Sequence, residues 1–217
     1  MDIQPETPWD GTPDVSSRIV TAIGRIGGVL RSGVWAFATA EGLNPAQVEI
    51  LQLLYRRSRG VRLTWLARQL SISSASASDS VASLVSKGLL RKARDSEDAR
   101  ATALFLTDAG AALAGRAGAA LGFADDAAAA LPEATQLALL TGLFRLIAGL
   151  QQTQRFPELR ACLSCRFFEP DRYPGQPTPH HCALVDAPLP LKFLRIDCAE
   201  HEPADADSER RNWRIFT

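Results

Sequence analysis

Cysteine is absent from the first 161 residues of this 217-residue chain, and all four cysteines lie near its C-terminal end. The chain also lacks an uncharged apolar run of about 18 residues, which argues against a membrane-spanning helix. Residues 1–14 are acidic and Pro-rich, unlike a secretory signal. These absences predict a cytoplasmic protein with no membrane partner. In that reducing compartment, clustered cysteines are more often metal ligands or redox groups than disulfides.

The motifs that mark common enzyme active sites are also missing. The sequence contains no Gly-rich phosphate-binding loop, no HExxH motif and no nucleophile paired with a base. Its three histidines, His180, His181 and His201, all lie among the cysteines. We therefore do not expect this chain to be an enzyme.

Net charge is missing as well, since 24 basic residues balance 24 acidic residues. The charges are nevertheless unevenly placed. Residues 56–100 hold ten Arg or Lys against four Asp or Glu, a net of +6, so the remaining 172 residues carry −6. A basic stretch on a neutral molecule is typical of a local nucleic-acid-binding surface.

The spacing of apolar residues predicts a mainly α-helical fold with a small β-wing. Asn44-Pro45 and Thr64 are expected to start helices, Ser73 or Ser74 to cap the next one, and Gly88 to end it. Two short strands are predicted around a charged tip, and Thr107 is expected to cap the helix that follows. The predicted helices span residues 15–40, 45–58, 65–70, 74–87, 108–123 and 133–154, and the predicted strands span 89–93 and 101–106.

Two stretches of this region carry a family resemblance. They read LTWLARQLSISSASASDSVASLVSKGLL over residues 63–90 and RDSEDARATALFLTDAG over residues 94–110. Together they resemble the winged helix-turn-helix of the MarR family of bacterial transcription regulators, including the D-x-R wing tip at Asp98 and Arg100. The resemblance extends over residues 15–154 and implies a winged-helix domain flanked by dimerisation helices.

The resemblance and the charge pattern together give a set of candidate DNA contacts. The helix after Ser73 has an electropositive N-terminus and would enter the major groove, while Arg100 would enter the minor groove with Asp98 holding it. That helix has no Arg or Lys before Lys87, so phosphate contacts must supply much of the affinity. The candidate contacts are Arg62, Arg68, Ser74, Ala75, Ser76, Ser78, Asp79, Ser83, Arg91, Lys92, Arg94, Asp98 and Arg100.

The cysteines follow the spacing C-x2-C-x16-C-x15-C, with Phe167-Phe168 after the first pair. This arrangement resembles the cluster-binding segment of high-potential iron–sulfur proteins over about 40 residues, although the Gly-Trp before that family's last cysteine is Ile196-Asp197 here. The resemblance implies a [4Fe–4S] cluster, and structural Zn²⁺ is the alternative. The expected ligands are Cys162, Cys165, Cys182 and Cys198, with His181 and His201 as secondary candidates.

The sequence thus predicts four parts with different roles. They are a flexible arm (1–14), a winged-helix DNA-binding and dimerisation domain (15–154), a small irregular metal-bound segment (155–203) and a C-terminal tail (204–217). We expect a homodimeric regulator, a repressor, that binds a pseudo-palindromic operator in double-stranded DNA and senses redox state, nitric oxide or iron. The alternative is a MarR-like regulator that responds to a small organic ligand and carries zinc at its cysteines.

Overall fold

A computed structural model describes residues 9, 11–55, 57, 59–94, 100–153 and 159–216. The described residues form eight α-helices: α1 (Val15–Ala40), α2 (Pro45–Tyr55), α3 (Leu63–Gln69), α4 (Ser74–Ser86), α5 (Asp108–Ala120), α6 (Gly122–Ala129), α7 (Glu133–Gln152) and α8 (Ala206–Trp213). They also form five short strands: β1 (Leu90–Arg94), β2 (Thr102–Leu106), β3 (Phe168–Glu169), β4 (His180–Cys182) and β5 (Ala187–Leu189). The predicted mainly helical fold with a small antiparallel wing is confirmed.

Local signals in the sequence fix the ends of several helices. Asn44 and Gln47 cap α2 reciprocally, since each side chain accepts a hydrogen bond from the other's backbone N–H at 2.9 and 3.1 Å. Gly88 follows α4 with φ +69°, the left-handed conformation that glycine adopts after a helix. The Thr107 side chain accepts from Gly110 N–H at the start of α5. These caps place α4 and the strands that follow it.

The first core lies between α2, α3, α4, α5 and the wing. Its most deeply buried side chains are Ile50, Leu51, Leu66 and Leu84. β1 and β2 pair antiparallel with Leu90 opposite Leu106 and Arg94 opposite Thr102. Leu90 and Leu104 hold the wing onto the core, and this attachment fixes its position beside α4.

Two details of the winged-helix region differ from the sequence predictions. Thr64 lies inside α3, whose N-cap is Arg62, because the chain becomes helical two residues earlier than the Thr signal indicates. The helix predicted over 108–123 ends at Ala120, and a separate helix, α6, begins at Gly122. Both differences shift helix ends and leave the order of elements unchanged.

The cysteine-containing segment is less irregular than predicted. It contains an antiparallel sheet in the order β3-β4-β5, with Pro188 on the outer strand. Strands of two or three residues are too short for an alternating pattern to be read from sequence. Proline is compatible with an edge strand, where one side of the backbone needs no partner. The prolines therefore did not exclude a sheet.

A second core attaches this segment to α7. Phe144 is only 1% exposed and stacks on Phe216 with ring centroids 5.2 Å apart, while Trp213 lies 6.3 Å away. Leu163 and Leu194 complete the contact. The segment therefore shares its core with α7 and with the C-terminal residues, which pack against it.

The long helix α1 has little of its apolar surface covered by the rest of the described chain. Val15, Ile19, Ile26, Val29 and Trp35 are each at least half exposed, and only Ala38 is buried. Exposed apolar surface on this scale marks a contact with another molecule. By length and composition alone α7 would also pass as a membrane-crossing helix, which is weak evidence because its Phe144 face packs inside the protein.

Candidate nucleic-acid interface and cysteine site

The N-terminal half of α4 is presented to solvent. Ser73 caps the helix by accepting a hydrogen bond from Ser76 N–H at 3.1 Å, and its hydroxyl lies 2.9 Å from that of Ser76. The buried face of α4 consists of Ala77, Val81 and Leu84, and Ser83 is half-buried. The exposed candidate contacts on this helix are Ser74, Ala75, Ser76, Ser78 and Asp79. Free backbone N–H groups at this end favour a phosphate or a base edge.

The wing places basic side chains next to α4. A groove between the two is lined by Ser78 of α4 and by Lys92 and Thr102 of the wing. Lys92 and Arg94 project from the side of β1 that also carries the buried Leu90. The remaining basic candidates are also exposed: Arg62, Arg68, Arg91 and Arg100. The structure therefore brings the α4 residues and the wing residues to one surface.

Individual basic side chains are held by different contacts. The guanidinium of Arg91 lies 4.5 Å from the Phe105 ring centroid, and Arg68 Nε donates to the Thr64 carbonyl at 3.4 Å. Arg100 stands just before β2, where the wing returns to the core. Asp98, the predicted partner of Arg100, lies outside the described residues. The pairing of these two side chains therefore stays a prediction.

Residues 41–101 match the sequence model of the MarR family. This part of the chain is similar to the winged helix of that family.

Solved structures share the same fold. A MarR-family regulator from Silicibacter pomeroyi has a TM-score of 0.55 at 22% identity and covers 63% of this chain and 92% of its own. CouR from Rhodococcus jostii RHA1, solved with p-coumaroyl-CoA, has a TM-score of 0.51 at 20% identity. The match covers 68% of this chain and 98% of the CouR chain. MepR from S. aureus, solved with DNA, has a TM-score of 0.51 at 17% identity. The match covers 64% of this chain and 100% of the MepR chain. A search of the curated proteins finds no match. Each structural match leaves about a third of this chain without a counterpart.

The four cysteines, which follow the winged helix in the chain, line one small cavity. Cys162 belongs to a 3-10 turn (Cys162–Ser164), Cys165 follows it, Cys182 ends β4, and Cys198 follows Asp197. Phe167, Phe168, Leu184 and Leu189 line the same cavity. None of the four cysteines is in a disulfide. Three separate parts of the sequence thus bring their cysteines to one cavity.

Hydrogen-bond donors and burial act on these sulfurs in opposite directions. Burial raises the pKa of the Cys162 thiol to about 11, opposed by a hydrogen bond from Arg195 N–H, and the nearby Cys198, Cys165 and Cys182 raise it further. That backbone N–H lies 3.3 Å from Cys162 Sγ, and the Arg195 guanidinium lies 3.6 Å from Cys198 Sγ. Binding a metal at these sulfurs would therefore release a proton from Cys162.

The donor set suits a thiolate-ligated metal group. Thiolates bind zinc and iron–sulfur clusters, and the apolar lining limits access of water. Among the described residues, however, no three His, Cys, Asp or Glu side chains are grouped closely enough to hold a metal ion. Four thiolates around one Zn²⁺ would stand about 3.8 Å from each other, given a Zn–S bond of about 2.3 Å. The structure shows that the four cysteines line one cavity.

The histidines make contacts away from the sulfurs. His181 is buried, with Nδ1 3.2 Å from the Tyr173 hydroxyl and Nε2 3.3 Å from an Asp186 carboxylate oxygen. His201 Nε2 lies 3.0 Å from the Ser164 hydroxyl. His180 accepts from Asp171 N–H. Through these contacts the histidines hold together the loops that carry the cysteines. Metal ligation by His181 or His201 stays a prediction.

Sequence reasoning missed the side chains that connect the cysteine site to its surroundings. Arg195 contacts two of the sulfurs, and Asp197 pairs with Arg57 of the winged helix. The only sequence signal for either was its position next to a cysteine or between two of them. Contacts between residues 140 positions apart leave no local pattern to read.

Proposed function

We propose that this protein is a cytoplasmic, dimeric, sequence-specific DNA-binding regulator of transcription, acting as a repressor. The observation that carries the proposal is the exposed N-terminal half of α4 beside a wing whose Lys92 and Arg94 are also exposed. A helix of this size fits the major groove, and a basic hairpin beside it fits the adjoining backbone or minor groove. The structure of MepR with DNA supports the same use of the fold.

The side chains of α4 indicate how much of DNA binding would come from base contacts and how much from phosphate contacts. Serine hydroxyls at positions 74 and 78 make tolerant contacts to bases, and Asp79 can accept from a cytosine amine. The hydroxyl of Ser76 is already engaged by Ser73, which leaves it with less freedom to contact a base. Affinity would come mainly from phosphate contacts, and specificity would depend strongly on DNA shape.

A dimer follows from the uncovered apolar face of α1. Two copies joined through such faces would present two α4 helices to successive half-sites, which predicts a pseudo-palindromic operator.

The first experiment selects DNA from a random pool with the full-length protein and then measures binding by fluorescence anisotropy. We expect an enriched site with inverted symmetry, bound at least about 10³-fold more tightly than a scrambled duplex. Failure to enrich any sequence, with the protein folded and dimeric, would refute sequence-specific binding.

For the cysteine site we propose a [4Fe–4S] cluster held by Cys162, Cys165, Cys182 and Cys198. Four thiols lining one cavity, together with the C-x2-C-x16-C-x15-C spacing, support a group held by four thiolates. When bound, such a cluster supplies a centre that responds to oxidants, nitric oxide and iron supply. The cysteines would then hold the segment in one position, and their release would free it.

The alternative function is regulation by a small organic ligand, with zinc at the cysteines. It is favoured by a cleft of about 530 Å³ between α2, α3 and α5, lined by Glu49, Gln52, Tyr55 and Gln69. This volume lies in the usual range for ligand pockets. CouR was solved with p-coumaroyl-CoA, which supports a ligand-responsive use of the fold.

Anaerobic purification separates the two. A brown protein with visible absorption and iron and sulfide in equal amounts supports the cluster, and a Cys182→Ser variant should lose the colour. A colourless protein with one zinc per chain would favour the alternative.

A further inference from the structure

The side chain of Arg57 is buried between the winged helix and the cysteine segment. It follows α2, and only 5% of it is exposed. One face of its guanidinium lies 3.8 Å from the centroid of the Trp65 ring, and its Nη2 lies 3.7 Å from Asp197 Oδ1. Burial lowers the pKa of Arg57 to about 10, helped by the charge of Arg160 and opposed by that of Asp197. The group therefore remains a cation at neutral pH.

Asp197 is tied directly to the last cysteine. Cys198 N–H donates to the Arg160 carbonyl at 3.0 Å, and Arg160 Nε donates back to the Cys198 carbonyl at 3.0 Å. The same Nε lies 3.9 Å from Asp197 Oδ1. A shift of the backbone at Cys198 would therefore act on the carboxylate that faces Arg57, through the chain and through Arg160.

Trp65 belongs to the helix that supports α4. It lies on α3 and packs against the first core, together with Leu63 and Leu70. Since α3 and α4 pack on each other, a displacement of Trp65 would change the surface against which α4 packs. Arg57 thus contacts a group fixed to the cysteine site and a group fixed to the helix-turn-helix.

We infer that Arg57 couples the state of the cysteine site to the position of α3 and α4, through Asp197 on one side and Trp65 on the other. The inference rests on the proposed metal binding and names the route by which it regulates DNA binding. A buried cation that loses its counter-ion is strongly destabilised. If Asp197 moves, the Arg57 side chain must therefore move with it or lose its stacking contact with the Trp65 ring. An open cleft lined by Tyr55, Arg57, Leu140 and Asp197 adjoins this contact and leaves room for that movement.

Fluorine NMR of full-length protein containing 5-fluorotryptophan tests the coupling. The chain has four tryptophans, and a Trp65→Phe variant identifies the Trp65 signal by its loss. The metal-free protein is titrated with Zn²⁺ as a probe and, separately, reconstituted anaerobically with iron and sulfide. We expect metal loading to shift the Trp65 signal in the wild type and to change operator affinity at least several-fold.

Two variants interrupt the route and one serves as a control. Asp197→Asn and Arg57→Gln should bind metal while the Trp65 shift is lost and the loaded and metal-free affinities become equal. Glu202→Gln neutralises a carboxylate of the same segment that is as exposed as Asp197, 37% against 36%, but pairs with Arg166. This control should behave as the wild type. If Asp197→Asn impairs metal uptake, Arg57→Gln decides the test, because that side chain has no contact with a cysteine among those described.

The outcomes separate this inference from the proposed function. Metal uptake without any shift of the Trp65 signal overturns the coupling alone, as does an unchanged shift in Arg57→Gln. A wild-type protein that takes up neither zinc nor a cluster overturns the proposed cysteine site and the coupling together.

Discussion

Replacing Lys92 by Gln should weaken the salt dependence of DNA binding by a predictable amount. Lys92 is exposed on β1 and lines the groove next to Ser78, so it is placed to neutralise a phosphate beside the recognition helix. The substitution removes one charge and keeps a side chain of similar length. Lys92 is not part of either core, and we therefore expect the fold to be retained.

The magnitude follows from counterion release. Each phosphate contact contributes about 0.9 to the slope of log K against log salt concentration, so the loss of two contacts in a dimer should make the slope about 1.8 less steep. Between 50 and 200 mM salt the wild type should then lose about tenfold more affinity than the variant.

The assay is an anisotropy titration of the selected operator at four or more salt concentrations. Arg210→Gln is the matched control, because Arg210 is exposed on α8, paired with Asp207, and lies outside the winged helix. It should leave the slope unchanged. An unaltered slope for Lys92→Gln, or an equal change in the control, would refute the placement of the wing against the phosphates.

Three further predictions concern stability, each measured by thermal or urea unfolding. Ser73→Ala removes the cap of α4 and should cost about 1 kcal/mol. Gly110→Ala would place a Cβ 2.0 Å from the Leu89 carbonyl oxygen and should destabilise the fold by about 1–3 kcal/mol. Gly118→Ala, on the same helix but with no atom nearby, should stabilise the fold by about 0.5–1 kcal/mol. Equal effects of the two substitutions would contradict the packing of α5. Phe144→Ala should cost about 3–5 kcal/mol, and an effect below about 1 kcal/mol would contradict the second core.

Local signals allowed most of the winged helix to be predicted. The apolar residues at helical spacing in α2 and α4 are Val48, Leu51, Leu54, Ala77, Val81, Leu84 and Val85; the first six are buried and Val85 is half-buried. The capping roles of Ser73 and Thr107 were also predictable, because a cap acts within four residues of chain. The wing was found from its charged tip between two apolar strands. In each case the interaction that fixes the structure is short in sequence.

The candidate sites were only partly predictable. The number and spacing of the cysteines pointed to a common site, and the structure places all four on one cavity. The helical spacing of apolar residues in α7 would also place Leu150 inside, yet it is 36% exposed, because the face of α7 that is covered depends on where the cysteine segment docks. The small sheet of that segment gave no periodic signal.

From the sequence alone one could derive most helices of the winged-helix region, the caps at Ser73 and Thr107, the wing and the basic stretch, because residues within a few turns of one another fix these features. The packing of the whole chain was needed to show that Phe144 contacts Trp213 and Phe216, and that Arg57 lies between Trp65 and Asp197. Such contacts join distant parts of the chain. Their energy depends on burial and on the pairing of a desolvated charge, which exist only once the elements have packed.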